Sequence, residues 1–156
     1  MTAPGALLRR IAKACFLPVF AAVLYLALMP NYGRSRFLIV PMPVYRWICE
    51  HDDFDNITAF AVLASFAFLV GKNPRAREYA ATTGAFARIF ASRSARLTGL
   101  LAMVCVLELL QKWIPGRVSS MRDVCTGWSG IFAAWLISVL LDARAENSAA
   151  ARSVTG

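Results

Sequence analysis

The sequence predicts an all-α protein: a four-helix transmembrane bundle with an amphipathic inner loop. Hydrophobic residues make up 58% of the 156 residues, above the roughly 45–50% apolar content of an ordinary globular domain. This excess is gathered into four apolar blocks. Taken together, the segments on one side of the blocks carry 11 lysines and arginines and those on the other side carry six, an asymmetry typical of multi-pass membrane proteins.

Four apolar segments are candidates for membrane-crossing helices. They are Ala14 to Met29, Ile57 to Val70, Leu97 to Leu110 and Val124 to Leu141. The middle two are shorter than the roughly 20 residues that cross about 30 Å of hydrocarbon, and their polar flanks restore the length. A soluble helical bundle is the alternative. It would have to hide helices that are apolar on nearly every face, whereas a surface helix keeps one polar face.

The first span follows a basic lead, residues 1–13, so a cleaved signal peptide is the alternative to a membrane helix. The sequence after Met29 is Pro-Asn-Tyr-Gly-Arg, which lacks a small-x-small cleavage pattern. We therefore expect an uncleaved span. Eleven of the 17 lysines and arginines then fall on the side of the termini. This excess predicts a protein of the cytoplasmic (inner) membrane with both termini in the cytoplasm.

One domain, residues 1–156, is expected because too few residues lie outside the spans to build a second core. The outer loop between the first two spans is interrupted by Pro41 and Pro43, which exclude a regular helix there. The inner loop, Gly71 to Arg96, carries aromatic and basic residues at near-helical spacing, as amphipathic segments on anionic bilayers do. The tail, residues 144–156, is small and polar, and we expect it to be disordered.

Small residues and cysteines in the spans are expected to lie where the membrane helices pack against one another. Ala61 and Ser65 in the second span, like Gly130 and Ala134 in the fourth, lie four residues apart, a spacing that lets membrane helices approach closely. The cysteines at positions 15 and 105 lie in apolar runs and are expected to pack in the same way. Those at positions 49 and 125 fall on the predicted outer side, where a disulfide persists in an oxidising compartment. A Cys49–Cys125 bridge and two free thiols are the alternatives there.

Charge and cysteine spacing also bear on the partners. The net charge of +8 is explained by orientation and by attraction to anionic headgroups. Nucleic acid is not expected as a partner, because no aromatic–basic module accompanies the charge. None of the cysteine or histidine spacings resembles a metal site. We therefore expect no metal and no cofactor.

Polar residues collect where the spans meet the predicted outer face. The candidate site consists of Asp55, Glu108, Gln111, Arg117 and Asp123. An ionisable group inside a membrane span is costly and indicates a functional site by default. Asp55 and Asp123 open the second and fourth helices, where the backbone dipole favours a carboxylate by about 0.3–1 kcal/mol. Helix capping is therefore the structural alternative for both acids.

Glu108 is the deepest acid of this set. It lies three residues before Gln111, so the two share a helix face. Arg117 is its expected partner, because a planar guanidinium binds a carboxylate through two parallel hydrogen bonds. Pro115 and Gly116 predict a turn that folds Arg117 back over the helix end. Two explanations stay open: the pair pins the hairpin of the third and fourth helices, or it handles a polar headgroup or peptide.

A spaced run of polar and turn residues in the second half of the chain resembles the C-terminal signature of the VanZ-like family of small bacterial membrane proteins. The run is Glu108-x-x-Gln111-x-x-x-Pro115-Gly116-Arg117, followed by Asp123 and Gly130. The resemblance covers roughly Asp55 to Leu141. It implies roles in a site for Glu108, Gln111, Arg117 and Asp123.

The upstream and downstream flanks of the signature depart from the family pattern. The family has an acid–lysine pair with a histidine four residues after the acid. This chain matches the acid with Asp55, but Asn56 stands in place of the lysine and Ala59 in place of the histidine. Gly127 stands where the family usually has an asparagine. The missing lysine and histidine argue against a proton-relay or cation role here.

The resemblance implies a protein of the cell envelope. The founding member of the family is associated with low-level teicoplanin resistance, which points to the outer envelope surface. We therefore expect a non-catalytic membrane protein that binds a lipid-linked envelope precursor or a glycopeptide-like ligand, or that assists envelope assembly or antibiotic tolerance. The expected partners are membrane lipids, such a ligand, and a second copy or another membrane protein.

Two other functions are alternatives. A membrane enzyme could act on a lipid headgroup with Glu108 or Asp123 as general base. Against it, the only histidine, His51, lies in an acidic loop outside the signature, and the aspartate clusters that would hold Mg²⁺ are missing. A small transporter or flippase is the other alternative, and with only four spans it would require a homodimer.

Overall fold

Four helices form almost all of the part of the chain that the structure describes. The computed structural model describes residues 4–28, 52–70 and 92–155, together with Pro43, Arg46 and Glu50. The helices are α1 (Pro4–Leu28), α2 (Asp52–Val70), α3 (Arg93–Gln111) and α4 (Met121–Thr155). No strand occurs within these described ranges. The predicted all-α, four-helix architecture is confirmed.

Each helix carries a stretch that is long and apolar enough to cross a membrane. These stretches are Arg10–Leu28, Asp53–Val70, Arg93–Gln111 and Met121–Ser148. At most 33% of any of them is buried inside the protein, and large side chains such as Leu17, Leu136 and Ile137 are exposed. An apolar exterior around helices whose backbone groups are paired internally is the arrangement that lipid requires. The chain is therefore built as a multi-pass membrane protein.

The third span begins earlier than the apolar pattern indicates. Ser92 is the N-cap of α3, and its hydroxyl oxygen accepts a hydrogen bond from the Ala95 N–H at 3.0 Å. This cap starts the helix at Arg93 rather than at Leu97. The last four residues of the predicted inner loop are thus the first turn of α3. The rest of that loop, residues 71–91, lies outside the described residues, as does most of the outer loop.

The two termini are more helical than the composition suggests. α1 starts at Pro4, inside the predicted basic lead, where a proline at the first helical position loses no hydrogen bond. α4 continues to Thr155, where the sequence predicted a disordered tail from Arg144. Five of the nine residues from 143 to 151 are alanine, the residue with the highest helix propensity. The 35 residues of α4 rise about 52 Å, well beyond the hydrocarbon thickness.

α3 and α4 form an antiparallel hairpin. At one end Arg93 forms an ion pair with Asp142. Near the middle the indole N–H of Trp128 donates to the Leu101 carbonyl at 3.1 Å. At the other end, nine residues lie between the last residue of α3 and the first residue of α4. These contacts fix the register of the two helices along their shared length.

α2 and α4 run parallel and share the largest helix–helix interface of the protein. Gly130 lies against the α2 backbone: a Cβ atom there would be 2.2 Å from the Ile57 oxygen and 3.0 Å from the Ala61 nitrogen. The predicted close approach of small-residue faces is confirmed at this point. The buried core fills the rest of the bundle, with Leu63, Phe68, Val104 and Ile131 its largest fully buried side chains.

The described cysteines are all free thiols. Cys125 is exposed, and Cys15 and Cys105 are half-buried. Cys49, the partner that a bridge to Cys125 would need, lies outside the described residues. Cys15 and Cys105 lie within α1 and α3, and the core packs against Cys105, as its apolar surroundings predicted.

Gly130→Ala is expected to lower the free energy of unfolding by about 1–3 kcal/mol, because the added methyl meets α2 backbone that cannot move aside. Gly127→Ala should cost less, since the atoms it meets belong to the side chains of Phe60 and Val104. Thermal unfolding in detergent would measure both. Gly99→Ala, on the exposed side of α3, is the matched control and should be neutral or stabilising by about 0.5–1 kcal/mol. Equal stability of the three variants would contradict the close α2–α4 contact.

Candidate functional site

All five residues of the predicted site lie at one end of the bundle. Contacts bring the C-terminal ends of α1 and α3 together with the N-terminal ends of α2 and α4. We call this the site end. Asp55 and Asp123 lie in the first turns of α2 and α4, Glu108 and Gln111 in the last turn of α3, and Arg117 in the connection that follows.

The connection from α3 to α4 is a compact series of turns. The N–H groups of Lys112, Trp113 and Ile114 donate to carbonyls three residues earlier, at 3.0–3.3 Å, and so satisfy the end of α3. The Arg117 N–H then donates to the Ile114 carbonyl at 3.2 Å. Gly116 has a φ of +76°, as the third residue of a type II turn does, with proline at the second position. The turn predicted at Pro115-Gly116 is confirmed.

Glu108 caps the beginning of α4 from the neighbouring helix. Ser120 is the N-cap residue: its hydroxyl oxygen accepts from the Arg122 N–H at 3.1 Å. The N–H of Ser120 itself donates to Oε2 of Glu108, also at 3.1 Å. In a capping box that acceptor comes from the third residue of the same helix, which here is Asp123. A side chain of α3 supplies it instead and ties the two helices together.

The Glu108 carboxylate is buried, with 7% of the residue exposed. Besides the Ser120 N–H, the side chain of Ser119 hydrogen-bonds to it, and Asp123 is near enough for the two negative charges to oppose each other. A buried charge is tolerated only when it is hydrogen-bonded, and bonds to an ionised acceptor are the stronger kind. Two acids therefore share the first turn of α4, one from within the helix and one from beside it.

Gln111 and Arg117 cap the end of α1. Nε2 of Gln111 donates to the Ala27 carbonyl at 3.1 Å, and Nη2 of Arg117 donates to the Leu26 carbonyl at 2.7 Å. The last four carbonyls of a helix have no partner within it. A cation at that position also interacts favourably with the helix dipole. Two side chains from the α3 hairpin thus hold the outermost helix in place.

The predicted pair between Arg117 and Glu108 is wrong. The hydrogen bonds of the Glu108 carboxylate come from Ser119 and Ser120, and Arg117 acts on it only through its charge. Arg117 donates to α1 instead. The reason is that the last carbonyls of α1 have no partner within their own helix, and the Arg117 guanidinium lies within hydrogen-bonding distance of one of them.

Sequence reasoning missed an ion pair at the site end. Asp53, in the first turn of α2, pairs with Arg122, the second residue of α4. The pair links the two helices whose contact is the most extensive in the protein. Its sequence signal is weak, because 68 residues separate the partners and each stands beside a more conspicuous candidate, Asp55 or Asp123.

Gly127 lies in a tightly packed part of the core. A Cβ there would be 3.0 Å from the ring of Phe60 and 3.0 Å from Val104. Phe60 is buried and occupies the space that a larger residue at position 127 would need. The packing of α2 against α4 therefore favours a residue without a side chain at position 127.

Within the described ranges, no group of three or more histidine, cysteine, aspartate or glutamate residues is placed to hold a metal ion. His51 lies outside those ranges. Comparisons with family models, with curated proteins and with solved structures gave no match. The site therefore has to be interpreted from its own geometry.

Glu108→Leu should lower the free energy of unfolding by about 1–3 kcal/mol, because it leaves the half-buried Ser120 N–H without its acceptor. Glu108→Gln keeps an oxygen at that place and should be tolerated better. Thermal unfolding in detergent would separate the two variants. Glu146→Leu, an exposed acid far along α4, is the control. A Glu108→Leu protein as stable as the parent would remove the capping role.

Gln111→Leu and Arg117→Met should each loosen the last turn of α1, because a helix-terminal carbonyl loses its donor. We expect amide hydrogen exchange at residues 25–28 to accelerate about fivefold for Gln111→Leu, the equivalent of one ordinary hydrogen bond, and more for the charged donor. Lys112→Gln, at an exposed neighbouring position, should leave exchange unchanged. Unaltered exchange in both capping variants would show that α1 is held by its apolar contacts alone.

Proposed function

We propose that this chain is a VanZ-like integral membrane protein of the bacterial cell envelope. It resides in the inner membrane with both termini in the cytoplasm, so that the site end faces outward. Its role is non-catalytic: the polar cluster binds a lipid-linked envelope precursor or a glycopeptide-like ligand and thereby assists envelope assembly or antibiotic tolerance.

The concentration of buried polar groups at one end of an apolar bundle carries this proposal. Glu108 and Gln111 are two of the three buried polar residues among those described, the third being Ser138 in α4. Both are held by hydrogen bonds to backbone atoms of other segments. Groups fixed in this way lose little conformational freedom when a ligand arrives, and such preorganisation favours binding.

The half-buried acids around this core supply the chemistry that a ligand would meet. Asp55 and Asp123 are partly exposed and stand in the first turns of the two tightly packed helices. Carboxylates accept hydrogen bonds only, so they suit the amide N–H groups of a peptide and the hydroxyl groups of a sugar. Glycopeptides and lipid-linked saccharides both present such donors. Charge placement along the sequence, with its excess of basic residues on the opposite side, supports the outward orientation.

The two acids near the start of α4 favour a second candidate, a membrane enzyme acting on a lipid headgroup. Glu108 and Asp123 are close enough for their charges to oppose each other. Neighbouring carboxylates of this kind can hold one proton between them and act as acid and base in turn. Turnover of a headgroup substrate, lost in Asp123→Asn, would favour this candidate over ligand binding.

Ligand binding can be tested on the full chain in lipid nanodiscs. Titration with teicoplanin and with a polyprenyl-diphosphate-linked disaccharide, read by isothermal calorimetry, should give a saturable signal for at least one probe. Asp55→Asn and Asp123→Asn should each weaken it about tenfold, the effect of losing one charged hydrogen bond. Asp142→Asn, which breaks the ion pair at the other end, is the matched control. Binding that responds to none of the site variants, or no binding of either probe, would refute the proposal.

A separate experiment tests the orientation: intact cells are labelled with a membrane-impermeant maleimide. A variant with Cys49 as its sole cysteine should be labelled, and one carrying only Ser148→Cys should not. The reverse pattern would place the cluster in the cytoplasm and overturn the outward-facing site.

A further inference from the structure

The α3–α4 turn, residues 112–122, carries the most exposed large apolar side chains of the described ranges. Val118 is 83% exposed, and Trp113 and Met121 are each 75% exposed. They stand at the level where one membrane span ends at Gln111 and the next begins at Met121. Tryptophan at that level is typical of the boundary between headgroups and acyl chains. The turn therefore projects apolar groups into the upper part of the bilayer.

The same turn is uniformly basic. It contains Lys112, Arg117 and Arg122 and no acidic residue. Lys112 is exposed, and the Arg122 side chain remains 76% exposed although it pairs with Asp53. An ion pair so open to solvent contributes only about 0–1 kcal/mol, so a stronger anion can compete for the guanidinium. Apolar and cationic groups thus alternate along one short exposed segment.

We propose that the α3–α4 turn docks the phosphate-bearing headgroup of a lipid in the outer leaflet. This inference rests on the proposed function, in which the site end faces outward. It adds the chemistry of the ligand that binds at the edge of the site end. Lys112 and Arg122 bind the phosphate oxygens, which a guanidinium can engage through two parallel hydrogen bonds. Trp113, Val118 and Met121 contact the upper acyl chains. Asp53 is the internal counter-ion that the phosphate displaces.

The apolar side chains identify a lipid rather than free phosphate as the occupant. A free anion would satisfy the two cations but would leave the three apolar groups uncovered. A lipid covers both, because its phosphate and its first methylene groups lie at adjacent depths of the bilayer. Most of the lysines and arginines lie on the other side of the membrane, whereas this turn places three of them on the outer side. An anionic partner there would explain their position.

The test uses the ion pair itself. Detergent-solubilised full-length protein would be titrated with phosphatidic acid, and the bound lipid counted by native mass spectrometry. Lys112→Gln and Arg122→Gln should each weaken binding about fivefold, the usual effect of one cation near an anionic surface. Asp53→Asn should instead strengthen it, because the competing carboxylate is gone. Arg144→Gln, a cation on the distant part of α4, is the control and should change nothing.

Several outcomes would overturn the docking surface. If Arg122→Gln and Asp53→Asn weaken binding alike, the ion pair matters only for holding α2 against α4. If inorganic phosphate competes as well as the lipid does, the turn takes a free anion. A third outcome is phosphatidic acid binding that is unchanged in Lys112→Gln and Arg122→Gln while teicoplanin or saccharide binding still depends on Asp55 and Asp123. In that case this inference fails and the proposed function stands. Labelling of the site end from the cytoplasm would overturn both.

Discussion

Backbone groups at the ends of helices need partners, and in a membrane there is little water to supply them. This constraint organises the site end. The free N–H of Ser120 at the start of α4 takes Glu108, and the free carbonyls at the end of α1 take Gln111 and Arg117. Each bond joins a side chain of one segment to the backbone of another. The polar groups that look most like a binding site are therefore also the bonds that hold the bundle closed.

Hydrogen bonds between segments explain why polar residues can stay buried here. Burying Glu108 would be costly without partners, and hydrogen bonds from the two serines before α4 offset part of that cost. The outcome is a rigid polar core surrounded by partly exposed groups, the half-buried Asp55 and Asp123 among them. Ligand contacts can form at this rim without undoing the caps. Under the proposed function, the exposed cations of the α3–α4 turn meet the phosphate of a lipid-linked ligand, and the acids meet its sugar or peptide part.

Much of the fold could be predicted because a long run of apolar residues is enough to identify a membrane helix. Four apolar blocks predicted four spans, and Gly130 with its small neighbours predicted a close contact that the structure has against Ile57. The boundaries were less accurate: Ser92 starts α3 four residues early through a local cap, and alanines carry α4 through the tail. Both differences come from helix capping and helix propensity, which a hydropathy pattern does not include.

The sequence by itself determined the fold class, the spans, the turn at Pro115-Gly116 and the end of the bundle at which the polar residues gather. Apolar length and turn chemistry are local properties, so they can be deduced without coordinates. Only the tertiary structure decided which groups meet. Arg117 binds α1 rather than Glu108, and Asp53 finds Arg122 across 68 residues. Pairing depends on how helix ends are set against one another, because each unsatisfied backbone group competes for the few polar side chains within reach.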